Sequence, residues 1–297
     1  MNLGRVTLTA VWAAALAAVA AGGVVENVRQ FIAEGSEPDA LWELQMYKTE
    51  HGVTPEYLNA LSWLARAELD SRRYPQAVQM SQEAYRLTLD QLKRRPLGRD
   101  LHLQLALGAS IEVQAGVMAA TGRLSEAVPY LQAHLKTYAG SPIETRIRKN
   151  ILLLTMEGKP APPLEQIVLP KGKPVLLFFW AHWCPDCKAQ APVLAKLKAE
   201  FAAHGLTLIA PTQKYGYADK GADATPALEI AYIEQVRRKF YPGVMDAASV
   251  VNEANFVRYG ASTTPTLVLV DRAGMVRLYH PGAMTYRELR AAIQRVL

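Results

Sequence analysis

The chain has 297 residues, room for about two ordinary domains. Half of its residues are apolar and a fifth are charged, a balance that excludes a disordered chain, while 19 glycines and 18 prolines exclude collagen-like and low-complexity sequences. The net charge of +6 is scattered, with no basic run longer than Lys93-Arg94-Arg95, so no nucleic-acid partner is implied. Two cysteines cannot build a disulfide scaffold.

At the amino terminus, residues 6–25 carry no charge and follow Arg5. A signal peptide has a basic start, a short apolar stretch and a small-residue cleavage site, which Ala18-Val19-Ala20 supplies. A retained membrane anchor needs about 20 apolar residues, and the stretch only just reaches that length. Its alanine-rich, weakly hydrophobic composition favours cleavage, and residues 1–25 are read as signal peptide or anchor. Either reading exports the remainder, to a periplasmic or extracytoplasmic, membrane-anchored location.

Residues 36–157 are expected to be helical throughout, because Ala, Leu, Gln, Glu and Arg dominate and β-branched runs are absent. Apolar residues recur at helical spacing through Tyr57, Leu58, Leu61, Leu64 and again through Val78, Ala84, Leu87. Breaks fall at Ser71–Tyr74, Arg95–Gly98, Thr121-Gly122 and Gly140–Pro142. An internal echo links Arg73–Val78 to Arg123–Val128, fifty positions on, each opening a helix after a turn. The pattern resembles tetratricopeptide-type helix pairs, although those repeat at about 34 residues. Such pairs stack and can present a groove to a partner, and plain helical packing explains the pattern equally well. His51, His102 and His134 lack the spacing of metal ligands and are read as surface or core residues.

Residues 158–163, Gly-Lys-Pro-Ala-Pro-Pro, are expected to be a stiff extended linker, and 164–297 a second domain. In that domain Val175–Trp180 is apolar on both faces, as a strand covered by helices on each side must be. Cys184-Pro185-Asp186-Cys187 follows at once and opens a helix from Lys188 to about Ala203. A cysteine at a helix N-terminus faces unpaired N–H groups and the positive end of the dipole, both of which favour the thiolate. The thiolate is the nucleophile of disulfide exchange, and a second cysteine one turn on can resolve the mixed disulfide. Pro185 suits the first helical turn, where its missing N–H costs little. A structural zinc site would need four ligands and there is no second cysteine pair, so no metal is assigned.

The second domain resembles the thioredoxin fold, and Phe179-Trp180-Ala181-His182-Trp183-Cys184-Pro185-Asp186-Cys187 is similar to its TlpA/ResA-type extracytoplasmic branch. The likeness extends to Pro192 inside the helix, and to Tyr259-Gly260-Ala261-Ser262-Thr263-Thr264-Pro265-Thr266. It implies a multidomain chain, an all-α helical-repeat-like region followed by an α/β thioredoxin fold. It implies catalysis by Cys184 and Cys187, substrate contacts from Trp183, Pro185, Thr264 and Pro265, and a cis bond before Pro265 beside Cys184. Thr266–Val270, the turn 271–274 and Met275–Tyr279 are expected as a hairpin, with a closing helix from Thr285 to Val296.

The chain departs from the pattern in two places. Phe178 occupies the position of the buried aspartate that moves protons in thioredoxin, which leaves His182, Asp186 and Glu229 as candidates for that task. The stretch 211–256 is long, with an inserted helix expected over Ala227–Phe240, and 211–217 is read as an ordinary polar loop in preference to a border of the site. A peroxidase is disfavoured, since such enzymes place Thr where Ala181 stands. Asp186 near Cys184 should oppose the thiolate and weaken the pair as an oxidant. The expected protein is an exported thiol–disulfide oxidoreductase, reductant or isomerase, with no cofactor beyond its own disulfide. Its partners would be protein thiols and disulfides, a membrane or exported reductase, and a protein bound by the helices. The alternatives are a helical adaptor or redox sensor, and a Cu(I) metallochaperone using the dithiol.

Overall fold

The computed structural model describes residues 23–245 and 249–297. The expected cleavage site and most of the apolar amino-terminal stretch lie outside these. The described residues divide into two compact units, one of 23–130 with 140–143 and one of 131–139 with 144–297.

The first unit is built from α1 (Val24–Ala33), α2 (Glu37–His51), α3 (Pro55–Asp70), α4 (Tyr74–Leu92), α5 (Leu101–Ala120) and the start of α6 (Leu124–Thr137). Its helices begin where side chains replace missing backbone partners. Thr54 and Asp100 accept the N–H groups of Tyr57 and Leu103 at 3.2 Å each, and Pro55 stands at the first position of α3. Small residues let α3, α4 and α5 pack closely: Ala60, Ala65, Ala84 and Ala106 are fully buried. Gly116 on α5 leaves room for Leu69, whose Cδ2 would lie 2.7 Å from any added Cβ. Among the described residues, α5 is the one helix long and apolar enough to cross a membrane, and more than half of it is buried inside the fold.

The fifty-residue echo has a structural counterpart. After α3, the N–H of Arg72 bonds Leu69 and that of Arg73 bonds Glu68; after α5, Gly122 bonds Ala119 and Arg123 bonds Met118, in the same pattern. Arg72 and Gly122 both take positive φ, 59° and 79°. These are matching helix-ending turns, and each starts the next helix at the same step.

In the second unit α7 (Glu144–Thr155) precedes a four-stranded sheet of order β2-β1-β3-β4. Its strands are β1 (Val175–Phe179), β2 (Thr207–Ile209), β3 (Thr266–Val270) and β4 (Val276–Pro281), with helices α8 (Pro185–Glu200), α9 (Pro226–Phe240), α10 (Glu253–Arg258) and α11 (Tyr286–Gln294). β1 runs parallel to β2 and antiparallel to β3, pairing Leu176 with Leu208 and Leu269, and β3 and β4 form the expected hairpin. β1 is buried along its whole length because both faces are covered. Leu176, Phe178 and Trp180 join α8, α9 and α11 in one core; Val175, Leu177 and Phe179 join Met156, Phe256 and Tyr259 in another. Residues 158–161 run along β4, exchanging backbone bonds between Gly158 and Val276, Val276 and Lys159, and Ala161 and Gly274 at 2.8–2.9 Å. The architecture is therefore an all-α region followed by an α/β domain.

Candidate active site

The site grows out of the end of β1. Trp180 donates its indole N–H to the Ala210 carbonyl at 3.2 Å, and its own carbonyl accepts the Thr212 hydroxyl at 2.8 Å. These bonds fix the short turn that carries His182 and Trp183 into α8.

Cys184 is the N-cap of α8, with Pro185 in the first turn. Its Sγ accepts the backbone N–H of Cys187 at 3.1 Å, so the sulfur takes the place of the oxygen that usually caps a helix. The Cys184 thiol also reaches the Thr264 carbonyl at 3.3 Å, across the cis Thr264–Pro265 bond. Cys184, Cys187, Thr264 and Pro265, far apart in the chain, thus meet at one point. Trp183 stands beside them, 45% exposed.

The two thiols are tuned in opposite directions. Cys184 is brought down to about 6, first by the hydrogen bond from the Cys187 thiol; burial opposes this, and the Thr264 side chain and the Cys187 N–H add to it. Asp186 opposes ionisation as expected, but as the smallest of the five influences. Cys187 is fully buried, and that burial pushes its thiol far above the ordinary range, with the neighbouring Cys184 sulfur adding to the effect. Both cysteines are present as free thiols. At neutral pH the pair therefore offers one thiolate and one proton-bearing partner, the complement that disulfide exchange requires.

The three candidates for proton transfer separate. Asp186 is exposed in the first turn of α8. His182 and Glu229 are both buried and pair with each other, Nε2 to Oε1 at 3.3 Å. Since a carboxylate only accepts, the ring proton sits on Nε2, and Nδ1 has no partner among the described residues. Burial lowers the basicity of His182, and the bond to Glu229 raises it in part. Among the described residues no three His, Cys, Asp or Glu side chains converge as metal ligands.

One residue escaped the sequence reading, and a second lies in a stretch for which a plain loop is preferred over a border of the site. Tyr241, just past α9, is buried against Trp180 and Phe178 with ring centroids 4.7 and 6.0 Å away, and its hydroxyl has no partner among the described residues. Burial pushes its phenol well above the usual range, and it shares one core with Phe178, Cys184 and Cys187. Its only signal was an aromatic residue after a helix. Tyr215 belongs to the stretch read as a polar loop, yet its ring meets Trp183 edge-to-face at 5.5 Å. That loop is a wall of the site.

Residues 165–297 match the family model described as a thioredoxin-like domain. The chain is similar to the thioredoxin-like protein YneN of Bacillus subtilis, 30% identical over 119 residues, covering 40% of this chain and 62% of the relative. It is similar to the thiol:disulfide interchange protein DsbE of Yersinia pestis, 29% identical over 129 residues, covering 43% and 60%. It is also 25% identical over 147 residues to the thiol-disulfide oxidoreductase ResA of Bacillus anthracis, covering 50% and 75%. The chain thus spans only about three fifths of the length of the first two relatives. Among solved structures, a thiol:disulfide interchange protein DsbE from Chlorobium tepidum, described as putative in its published name, aligns over 42% of this chain and 81% of its own at 25% identity, with a TM-score of 0.33.

Proposed function

With residues 165–297 as a thioredoxin-like domain behind an all-helical region, we propose that the protein is an exported thiol–disulfide oxidoreductase acting on protein disulfides as a reductant or isomerase. One observation carries this reading: Cys184 caps α8 with a sulfur ionised near neutrality, while Cys187 beside it keeps its proton.

Cys184 thiolate attacks one sulfur of a substrate disulfide, forming a mixed disulfide and expelling the other substrate sulfur as a thiolate. Cys187 then gives up its proton and attacks Cys184 Sγ. The Cys184–Cys187 disulfide forms, the second substrate thiolate leaves, and two electrons have passed to the substrate. A membrane-bound or exported dithiol reductase restores the pair. In isomerisation the first substrate thiolate returns to attack elsewhere, and Cys187 is not consumed.

The position of Cys184 on the acidity scale supports the reducing direction. A thiol at about 6 lies nearer to thioredoxin, at about 7, than to the strongly oxidising DsbA, at about 3.5. Thr264, with its backbone beside Cys184, together with Pro265, Pro185 and the exposed Trp183, would receive an extended substrate segment. The interchange and oxidoreductase activities named for the relatives extend to this chain as part of the same proposal. Export is supported by the uncharged run behind Arg5. The helical region, with its repeated turns, would act as a tetratricopeptide-like surface for a partner protein.

The test is capture with Cys187→Ser, which should hold a covalent, dithiothreitol-sensitive complex with a reducible protein such as insulin. Cys184→Ser should lower insulin reduction by more than about a thousandfold. Turnover surviving in Cys184→Ser, or no adduct with Cys187→Ser, overturns the proposal.

A further inference from the structure

Glu229 sits in the first turn of α9 with 1% of its surface exposed, and its carboxylate takes three donors. They are the backbone N–H of Tyr215, the N–H of Gly216 at 3.0 Å, and His182 Nε2 at 3.3 Å. One buried carboxylate thus ties together the turn that delivers Cys184, the loop after β2 and the inserted helix. Nothing in the chemistry of the two sulfurs requires this knot. A buried carboxylate is costly to desolvate, and an apolar pair of similar volume would fill the same space at least as well. What an apolar pair could not do is hold two consecutive loop N–H groups in one place.

The consequence is an aromatic wall. With its backbone fixed on Glu229, Tyr215 stands edge-to-face to His182 at 5.6 Å and to Trp183 at 5.5 Å. Tyr217 also meets His182 edge-to-face, at 5.4 Å, and lies 6.3 Å from Tyr215. Burial pushes the Tyr215 phenol upward, and the ring packs against the core that contains Cys184 and Cys187. Trp183, the residue next to Cys184, leaves nearly half its surface open for contact.

We infer that His182 and Glu229 are positioning residues whose buried pair holds Tyr215 against Trp183, and that the resulting wall selects substrate segments with an aromatic or other large apolar side chain beside the reacting cysteine. The inference rests on the oxidoreductase reading above and specifies its substrate class. Ring faces and edges gain contact with apolar side chains, and offset or edge-on aromatic neighbours most of all. A mobile Tyr215 would have to be ordered by each substrate, which weakens binding rather than chemistry.

The experiment uses the full chain and three disulfides: a peptide with Phe beside its cysteine, the same peptide with Ser there, and hydroxyethyl disulfide, which is too small to reach the wall. The wild-type protein should prefer the Phe peptide over the Ser peptide by about tenfold in kcat/KM, chiefly through KM. Glu229→Ala and His182→Asn should cut that preference to about twofold or less, and should slow the Phe peptide more than hydroxyethyl disulfide. His182→Gln, whose amide N–H falls where Nε2 was, should keep the preference. If Glu229→Ala fails to fold, Tyr215→Ala, which retains the backbone N–H, carries the same comparison. Equal losses on all three disulfides, a preference that survives His182→Asn, or a wild-type protein indifferent to Phe would overturn the inference. A wild-type protein inert towards hydroxyethyl disulfide as well would instead overturn the oxidoreductase reading on which it rests.

Discussion

In the helical unit several buried polar groups answer to their own stretch of chain, while Asn27 and Asn59 reach Glu43 and His102 over 16 and 43 residues. The hydroxyls of Ser62, Ser81 and Ser110 bond carbonyls three or four residues back, and Glu68 is met by Arg73 just after its helix ends. In the thioredoxin-like unit they answer across the fold. His182 pairs with Glu229, 47 residues away; Thr212 bonds Trp180 over 32; Gln190 accepts the N–H of Met284 over 94. Local bonds finish a helix and can be lost one at a time. Long-range bonds fix where loops stand relative to one another, and those of His182, Thr212 and Gln190 lie around the end of β1 and the first turns of α8. The difference separates a region whose polar interior maintains its helices from one whose polar interior arranges a site.

The largest effect that would sharpen this contrast is on Cys184 itself. Its alkylation by iodoacetamide should follow a midpoint at about pH 6, falling about a hundredfold between pH 8 and pH 4, whereas a free thiol has its midpoint near 8.5. Because the Cys187 thiol is the largest influence lowering Cys184, Cys187→Ala should move the midpoint upward. A midpoint above 8 in the wild-type protein would break the account. The sign extends to stability: the ionised form is favoured by the folded state, so its contribution is complete above the ordinary thiol range and is lost as pH falls through about 6.

Next in size is Gly260, at φ +57° just before the Thr264–Pro265 segment. A Cβ there would lie 2.6 Å from the Lys149 backbone nitrogen and 2.7 Å from its Cα. Backbone cannot swing aside as a side chain can, so Gly260→Ala should cost about 2–3 kcal/mol, read as a lower thermal midpoint. A loss of a few tenths would mean that α7 gives way readily. The smallest effect belongs to the helical unit. Removing the α5 cap with Asp100→Ala should cost about 1 kcal/mol in urea unfolding and leave Cys184 alkylation as it was. A change in alkylation would break the distinction between the two regions.

What the sequence made legible was whatever shows as a period or a turn. The apolar run at 175–180 became β1, the inserted helix expected over 227–240 spans Pro226–Phe240, and the Asp271–Gly274 turn joins the hairpin strands. The meeting of Cys184 with Thr264 and Pro265 was legible only through family resemblance, since 80 residues lie between them. α1 was hidden because Val24 and Val25 continue an apolar stretch that begins at Val6, and so read as its tail. His182 and Glu229 were each singled out as proton carriers, but nothing in a linear chain says that two candidates occupy each other. Tyr215 was lost among Lys214, Gly216 and other polar neighbours because a loop has no period to mark which side chain turns inward.

The sulfur that caps α8 has one more consequence. While Cys184 is a thiolate, its charge anchors the amide of Cys187 and closes the first helical turn. Once that atom is bound into a disulfide the charge is gone and the acceptor weakens. Oxidation therefore exchanges a charge-assisted hydrogen bond across the opening turn of α8 for a covalent bond across the same turn, and removes a negative charge from the helix N-terminus.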